Sequence, residues 1–216
     1  MSPEELLAGA WLFAAVVVSL VLHECAHALC ADRLGDPTAR LAGRLTPNPL
    51  AHLDPFGTAM LALLAFSGFG LGWARPVPVD PRAFRRPRRD MALVALAGPC
   101  ANLLLALLCA ALGAGAAALG LRGELPRQAL FAAVSVNAAL FAFNMIPVFP
   151  LDGSRLLVCL LPPRAAARAE SALVRLGARP LGALLLLEWF TPVKPLGALV
   201  RPAVLLAARL AEGLSG

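Results

Sequence analysis

Met91 to Leu121 is a run of 31 residues without a charged side chain, and Gln128 to Leu151 is another of 24. About 20 apolar residues in a helix suffice to cross the hydrocarbon of a bilayer. A third run, the 26 residues from Leu6 to Ala31, is interrupted only by His23, Glu24 and His27. Three runs of spanning length in one chain of 216 residues lead to the expectation of an integral, multi-pass membrane protein. Composition agrees: 59% of the residues are hydrophobic, 15% are charged and the mean hydropathy is +0.76, whereas a soluble domain is about a quarter charged.

The expected fold class is therefore all-α and polytopic. A three-helix core should be built from about 6–31, 91–121 and 128–161, and residues 1–216 should form one membrane-embedded domain. No repeat is visible, and no polar stretch is long enough to bury a core of its own. No cleavable leader is expected, because Met1 to Glu5 carries two acids and no basic residue. Pro180 to Ala211 holds two weaker apolar stretches, read as C-terminal helices. The five cysteines lie in apolar segments without paired spacing and read as small buried residues.

Net charge is +6, but the basic residues lie mostly between the apolar runs, and no aromatic residues interleave them to stack bases. Nucleic acid is not an expected partner; the lipid bilayer is. Basic residues collect at cytoplasmic ends of spans. Arg33, Arg40 and Arg44 put the end of the first helix on that side, and six arginines in 75–89 put that loop there too. The glycine-rich segment 55–74 then cannot cross once. It is expected to be a re-entrant or hairpin element, which its glycines permit where it packs against protein. Following the chain outward and back places Asp152 on the cytoplasmic side, level with His23 and His27.

His23-Glu24-Cys25-Ala26-His27 matches H-E-x-x-H. On a helix, residues four apart share a face, so both imidazoles can reach one Zn2+ per chain, with Glu24 placed to take a proton from water. An ionisable residue inside a spanning helix costs roughly 2.5–3.5 kcal/mol to insert, and three within five positions call for a cation. A catalytic zinc needs a third protein ligand. The candidates are His52, Asp54, Asp90, Asp152 and Glu188. Asp152 has the strongest case: Pro147 and Pro150 break the helix ahead of it, Asn144 supplies an amide at the break, and such breaks at membrane depth line cavities or are buried in protein. A helix N-cap for the run beginning near Gly153 is another use for Asp152, one compatible with metal binding. His52 is a neighbour, a gate or an alternative ligand.

With these residues in view, the chain resembles the site-2 protease family of intramembrane zinc metalloproteases, in its short bacterial branch without a PDZ domain. His23 to His27 looks like the first family motif, and Asn144 to Gly153 like the second, N-x-x-P-x-x-x-L-D-G. Gly98-Pro99-x-x-Asn102 looks like the motif of the middle core helix. Gly43 to Pro49, His52 to Pro55 and Gly72 to Val79 also look like this branch. The resemblance implies a metalloendopeptidase of the bacterial cell membrane acting on transmembrane protein substrates, and the arginine placement puts its active site toward the cytoplasm. It implies zinc on His23, His27 and Asp152, with Glu24 as base. It also implies a substrate or oxyanion contact from Asn144 and an accessory place for Asn102. Two rival readings are a membrane metal transporter, which needs metal-capable residues along a path, and a catalytically inactive homologue.

Overall fold

A computed structural model describes residues 1–121 and 123–213. Ten α-helices are described: α1 (Pro3–Arg33), α2 (Thr38–Leu41), α3 (Pro49–His52), α4 (Pro55–Ser67), α5 (Pro87–Ala118), α6 (Glu124–Asn144), α7 (Asp152–Leu160), α8 (Pro163–Leu176), α9 (Arg179–Phe190) and α10 (Pro195–Gly213). The described residues contain no β-strand, only one isolated antiparallel bridge between Leu53 and Ala74. The protein is all-α.

The helices begin where local chemistry stops the chain from continuing otherwise. Ser2 caps α1 through a capping box with Glu5, and Pro3 sits at its first turn. Asp54 caps α4 by accepting from the Gly57 N–H at 2.8 Å. α5 runs unbroken through Pro99.

α1, α5 and α6 are each long and apolar enough to span a bilayer, and no more than about a third of each apolar window is buried inside the protein. Leu103, Leu104, Leu107, Leu108 and Leu112 of α5 all face outward. Helices apolar on every side need an apolar solvent. The three pack on one another, α7 lies against α5, and α10 lies against α6. The outermost expectation, 128–161, resolves into two parts: α6 ends at Asn144, and α7 restarts at Asp152 after the Pro147 and Pro150 break. The weak apolar stretches at 180–211 become α9 and α10, bent 81° at their junction.

Segment 55–74 is a helix-and-return hairpin. α4 runs up for 13 residues, Gly68 ends it in the left-handed conformation (φ 70°), and the chain comes back along it to Ala74. Two glycines permit the close return. A Cβ on Gly57 would lie 2.3 Å from the Trp73 carbonyl oxygen, and one on Gly72 would lie 2.1 Å from Leu61 Cγ. Because Leu53 pairs with Ala74, the ends of the hairpin are side by side, and 55–74 cannot be a single crossing. Cysteines introduced as Arg40→Cys and Arg86→Cys, both exposed sites, in a chain stripped of its native cysteines, are thus expected to react with an impermeant reagent from the same face. Labelling from opposite faces would refute this topology.

The polar loops at this end are tied together by buried Asp36. It accepts from the Thr38 N–H at 3.0 Å and from the Asp80 N–H at 2.7 Å. The cysteines depart from expectation: all five are free, but none is fully buried, and Cys100 faces outward. A thiol is apolar enough to face lipid as readily as protein.

Candidate metal centre

Three side chains from two helices meet at one point. His23 and His27 stand one turn apart on α1, with their Nε2 atoms 2.9 Å apart. Asp152, at the first turn of α7, brings Oδ2 to 3.2 Å from His23 Nε2 and 3.3 Å from His27 Nε2. Asp152 reaches them because Gly153 lets α7 fold back on the end of α6: a Cβ there would lie 2.3 Å from the Met145 carbonyl oxygen. The N-cap of α7 is Leu151, so Asp152 is not spent as a cap.

What surrounds the imidazoles decides their protonation. The His27 Nδ1 atom lies 2.6 Å from the Val94 carbonyl, which can only accept, so Nδ1 carries the proton. On His23 the same result follows through a chain of amides. Asn137 Nδ2 donates to the Ala133 carbonyl and to Ser19 Oγ, both at 2.9 Å. Its Oδ1 therefore accepts from Asn102 Nδ2 at 2.9 Å, leaving Asn102 Oδ1 to accept from His23 Nδ1 at 2.6 Å. In the neutral imidazoles, both Nε2 atoms then present lone pairs.

Two lone pairs and a carboxylate oxygen crowd one point, and buried Asp152 Oδ2 has no hydrogen-bond partner. Three acceptors repel unless a cation sits among them. Zinc bond lengths of ~2.0–2.1 Å put tetrahedral ligand atoms roughly 3.3–3.4 Å apart, close to the observed spacing of the oxygen from each nitrogen. Gly98 of α5 lines the same spot. A Cβ there would fall 2.4 Å from His27 Nε2 and 2.6 Å from His23 Nε2. The donor set, its fixed tautomers and the orphaned oxygen all fit a zinc ion.

The other acids considered from sequence have separate tasks. Asp54 caps α4, Asp90 accepts from the Arg86 N–H at 2.9 Å, and Glu188 accepts from the Leu196 N–H at 2.9 Å. His52 is wholly buried away from the cluster. Its Nε2–H donates to the Thr46 carbonyl at 2.8 Å, which also accepts from Cys25 Sγ at 2.9 Å. Among the described residues only His23, His27 and Asp152 form a group of metal-capable atoms. Glu24 is half-buried beside them, with Oε2 accepting from the Val77 N–H at 2.9 Å. Asn144 Nδ2 donates to the Leu140 carbonyl of its own helix at 3.0 Å.

Asp152→Asn is expected to lose most metal affinity, since it replaces a carboxylate ligand by a neutral amide, while His52→Ala keeps the metal. Metal analysis of the two purified variants checks this, and the reverse pattern would make His52 the third ligand.

Asn137 and Ser19 were not anticipated. Their signal was a polar side chain in the middle of an uncharged helix, where it needs a partner.

A membrane-spanning helix that carries a zinc-type histidine pair, closed by an aspartate from a second helix, defines the class. The sequence comparisons agree with the geometry. Residues 11–121 match the model of peptidase family M50, and the chain belongs to that family. It is 39% identical over 204 residues to Bacillus subtilis YwhC, provisionally named a zinc metalloprotease, covering 92% of this chain and 87% of that one. It is 36% identical over 177 residues to Rip2 of Mycobacterium tuberculosis strain Erdman, and 37% identical over 103 residues to Rip2 of Mycolicibacterium smegmatis; both are provisionally named the same way. Those matches cover 76% and 48% of this chain but only 65% and 38% of the two mycobacterial proteins. No solved structure matches the chain significantly. The family match contains His23, His27 and Asn102 but stops short of Asp152, whose candidacy as third ligand rests on geometry.

Proposed function

We propose that this protein is an intramembrane zinc metalloprotease that hydrolyses peptide bonds of membrane-spanning or membrane-associated proteins, with its active site toward the cytoplasmic side of a bacterial cell membrane. The observation that carries this reading is the convergence of two imidazole Nε2 atoms, whose rings are each hydrogen-bonded at Nδ1, and a buried carboxylate oxygen beside Glu24, within an otherwise apolar bundle.

His23, His27 and Asp152 would hold the metal, and Asn102 and the Val94 carbonyl would keep the imidazoles in the tautomer that can bind it. Zinc held there supplies Lewis acidity, bringing the pKa of water down to ~7 and polarising a carbonyl. Glu24 then takes the proton from water and passes it to the leaving amine. Its Oε2 is occupied by the Val77 N–H, which leaves Oε1 for that exchange. Asn144, at the end of α6, is the candidate for gripping substrate backbone or the oxyanion once its amide leaves the Leu140 carbonyl. A substrate helix must unwind locally to offer a peptide bond.

A metal transporter would need a succession of metal-capable sites, and the described residues hold one such group. Reconstituting the full chain in vesicles with a membrane-spanning substrate separates the readings. Two fragments that disappear when zinc is chelated support proteolysis; zinc flux with no cut peptide supports transport.

A further inference from the structure

Among the described residues Arg44 is the only buried arginine or lysine, at 7% exposure, and no carboxylate lies within ion-pairing reach of it. Its Nε has no partner, while Nη2 donates to the Arg75 carbonyl. Burying an unpaired guanidinium is costly, so what it holds in place is informative. Burial pushes its pKa down, and the Glu24 carboxylate opposes that fall. The charge therefore sits near the general base.

Arg75 is gripped from both sides. Its N–H donates to the His52 carbonyl at 2.7 Å, its C=O accepts from Arg44, and its neighbour Ala74 pairs with Leu53. Pro76 and Pro78 follow, and neither has a backbone N–H. Residues 76–78 thus offer one donor, the Val77 N–H, and it is given to Glu24 Oε2 at 2.9 Å. An anchored residue, a stiff Pro-Val-Pro strap and a single amide lead directly to the carboxylate.

We propose that Arg44 is a positioning residue for Glu24. By anchoring the carbonyl of Arg75 it sets the height of the strap, so that the Val77 N–H fixes one carboxylate oxygen and aims the other at the water it deprotonates. This rests on the proteolytic reading of Glu24, but the placement of the strap can be measured without any cleavage. A glutamate with free rotamers would sample the productive geometry only part of the time. Misplacement of a reacting group by about 1 Å costs on the order of 10²-fold in rate.

The test uses the full chain in detergent and in vesicles, as wild type, Arg44→Ala, Arg44→Lys and Val77→Pro. The exposed Arg40→Ala serves as a control for charge removal in the same loop. In Arg44→Ala, amide exchange in 75–79 should accelerate at least about tenfold while α1 and α5 stay protected, as expected of a segment released from its anchor. Its kcat should fall about 10- to 100-fold with KM and zinc content unchanged, and Arg44→Lys should recover part of the loss. Val77→Pro removes the amide donor without touching the hydrogen bonds of Arg75, so it should lower kcat similarly while Arg75 stays protected. Unchanged exchange and unchanged kcat in Arg44→Ala would overturn the proposal. So would loss of zinc, or of protection throughout the chain, in both Arg44 variants. If the wild-type protein cuts nothing, the proteolytic reading fails, and the exchange data still decide whether Arg44 anchors the strap.

Discussion

Glu24→Gln is expected to keep its zinc and to cut at least ~10²–10⁴-fold more slowly, the range for loss of a positioned general base. Gln has the shape of Glu, and its carbonyl oxygen can still accept from the Val77 N–H, so the strap stays in place. What it cannot do is accept a proton from water. The three metal-binding side chains are untouched. Substrate should therefore still associate, and the complex should persist because cleavage has stopped. Single-turnover cleavage with parallel metal analysis checks both halves. Wild-type cleavage by a zinc-loaded Gln variant would remove Glu24 from the mechanism.

Gly98→Ala is expected to abolish zinc binding although it touches no ligand chemically. Ala is the better helix former by roughly 1 kcal/mol, so α5 itself should not suffer. The new methyl would stand 2.4 and 2.6 Å from the two Nε2 atoms. The rings cannot swing aside cheaply, because each is pinned at Nδ1 by a 2.6 Å hydrogen bond. A helical circular-dichroism spectrum like wild type, with zinc below about one-tenth of an ion per chain, is the expected result. Stoichiometric zinc in this variant would mean that the Nε2 atoms do not face the ion across Gly98. If the rings do swing aside they give up those hydrogen bonds, and losing such support costs about 10–100-fold in metal affinity.

The centre was legible in the sequence to the extent that it is local. The His23 and His27 pair follows from helical period, and Asp152 follows from a broken helix that ends in an acid. The rest is long-range. Asn137 meets Asn102, and Arg44 meets Arg75, across 35 and 31 residues of chain, and no spacing rule reaches that far. Two of the contacts that orient the site, those of the Val94 carbonyl and the Val77 amide, are made by backbone and leave no trace in side-chain identity. Asn144 shows the opposite case: the residue is recognisable by resemblance, but its amide is turned onto its own helix. For the fold, the absence of charge placed three spans within a few residues. The division of 128–161 was marked by Pro147 and Pro150 rather than by hydropathy, and nothing in the sequence showed that α9 and α10 meet at 81°. Segment 55–74 was recognised as unable to cross once, by arginine placement. That its glycines serve close approach of two chain limbs needed coordinates.

Zinc X-ray absorption on the full-length protein in detergent tests the central claim most directly. The account expects one zinc per chain in a nitrogen and oxygen shell at ~2.0–2.1 Å, with imidazole scattering from two rings, and no zinc in His23→Ala/His27→Ala. Stoichiometric zinc retained by that double variant, or a sulfur ligand at ~2.3 Å from Cys25, which lies between the two histidines in sequence, would contradict it.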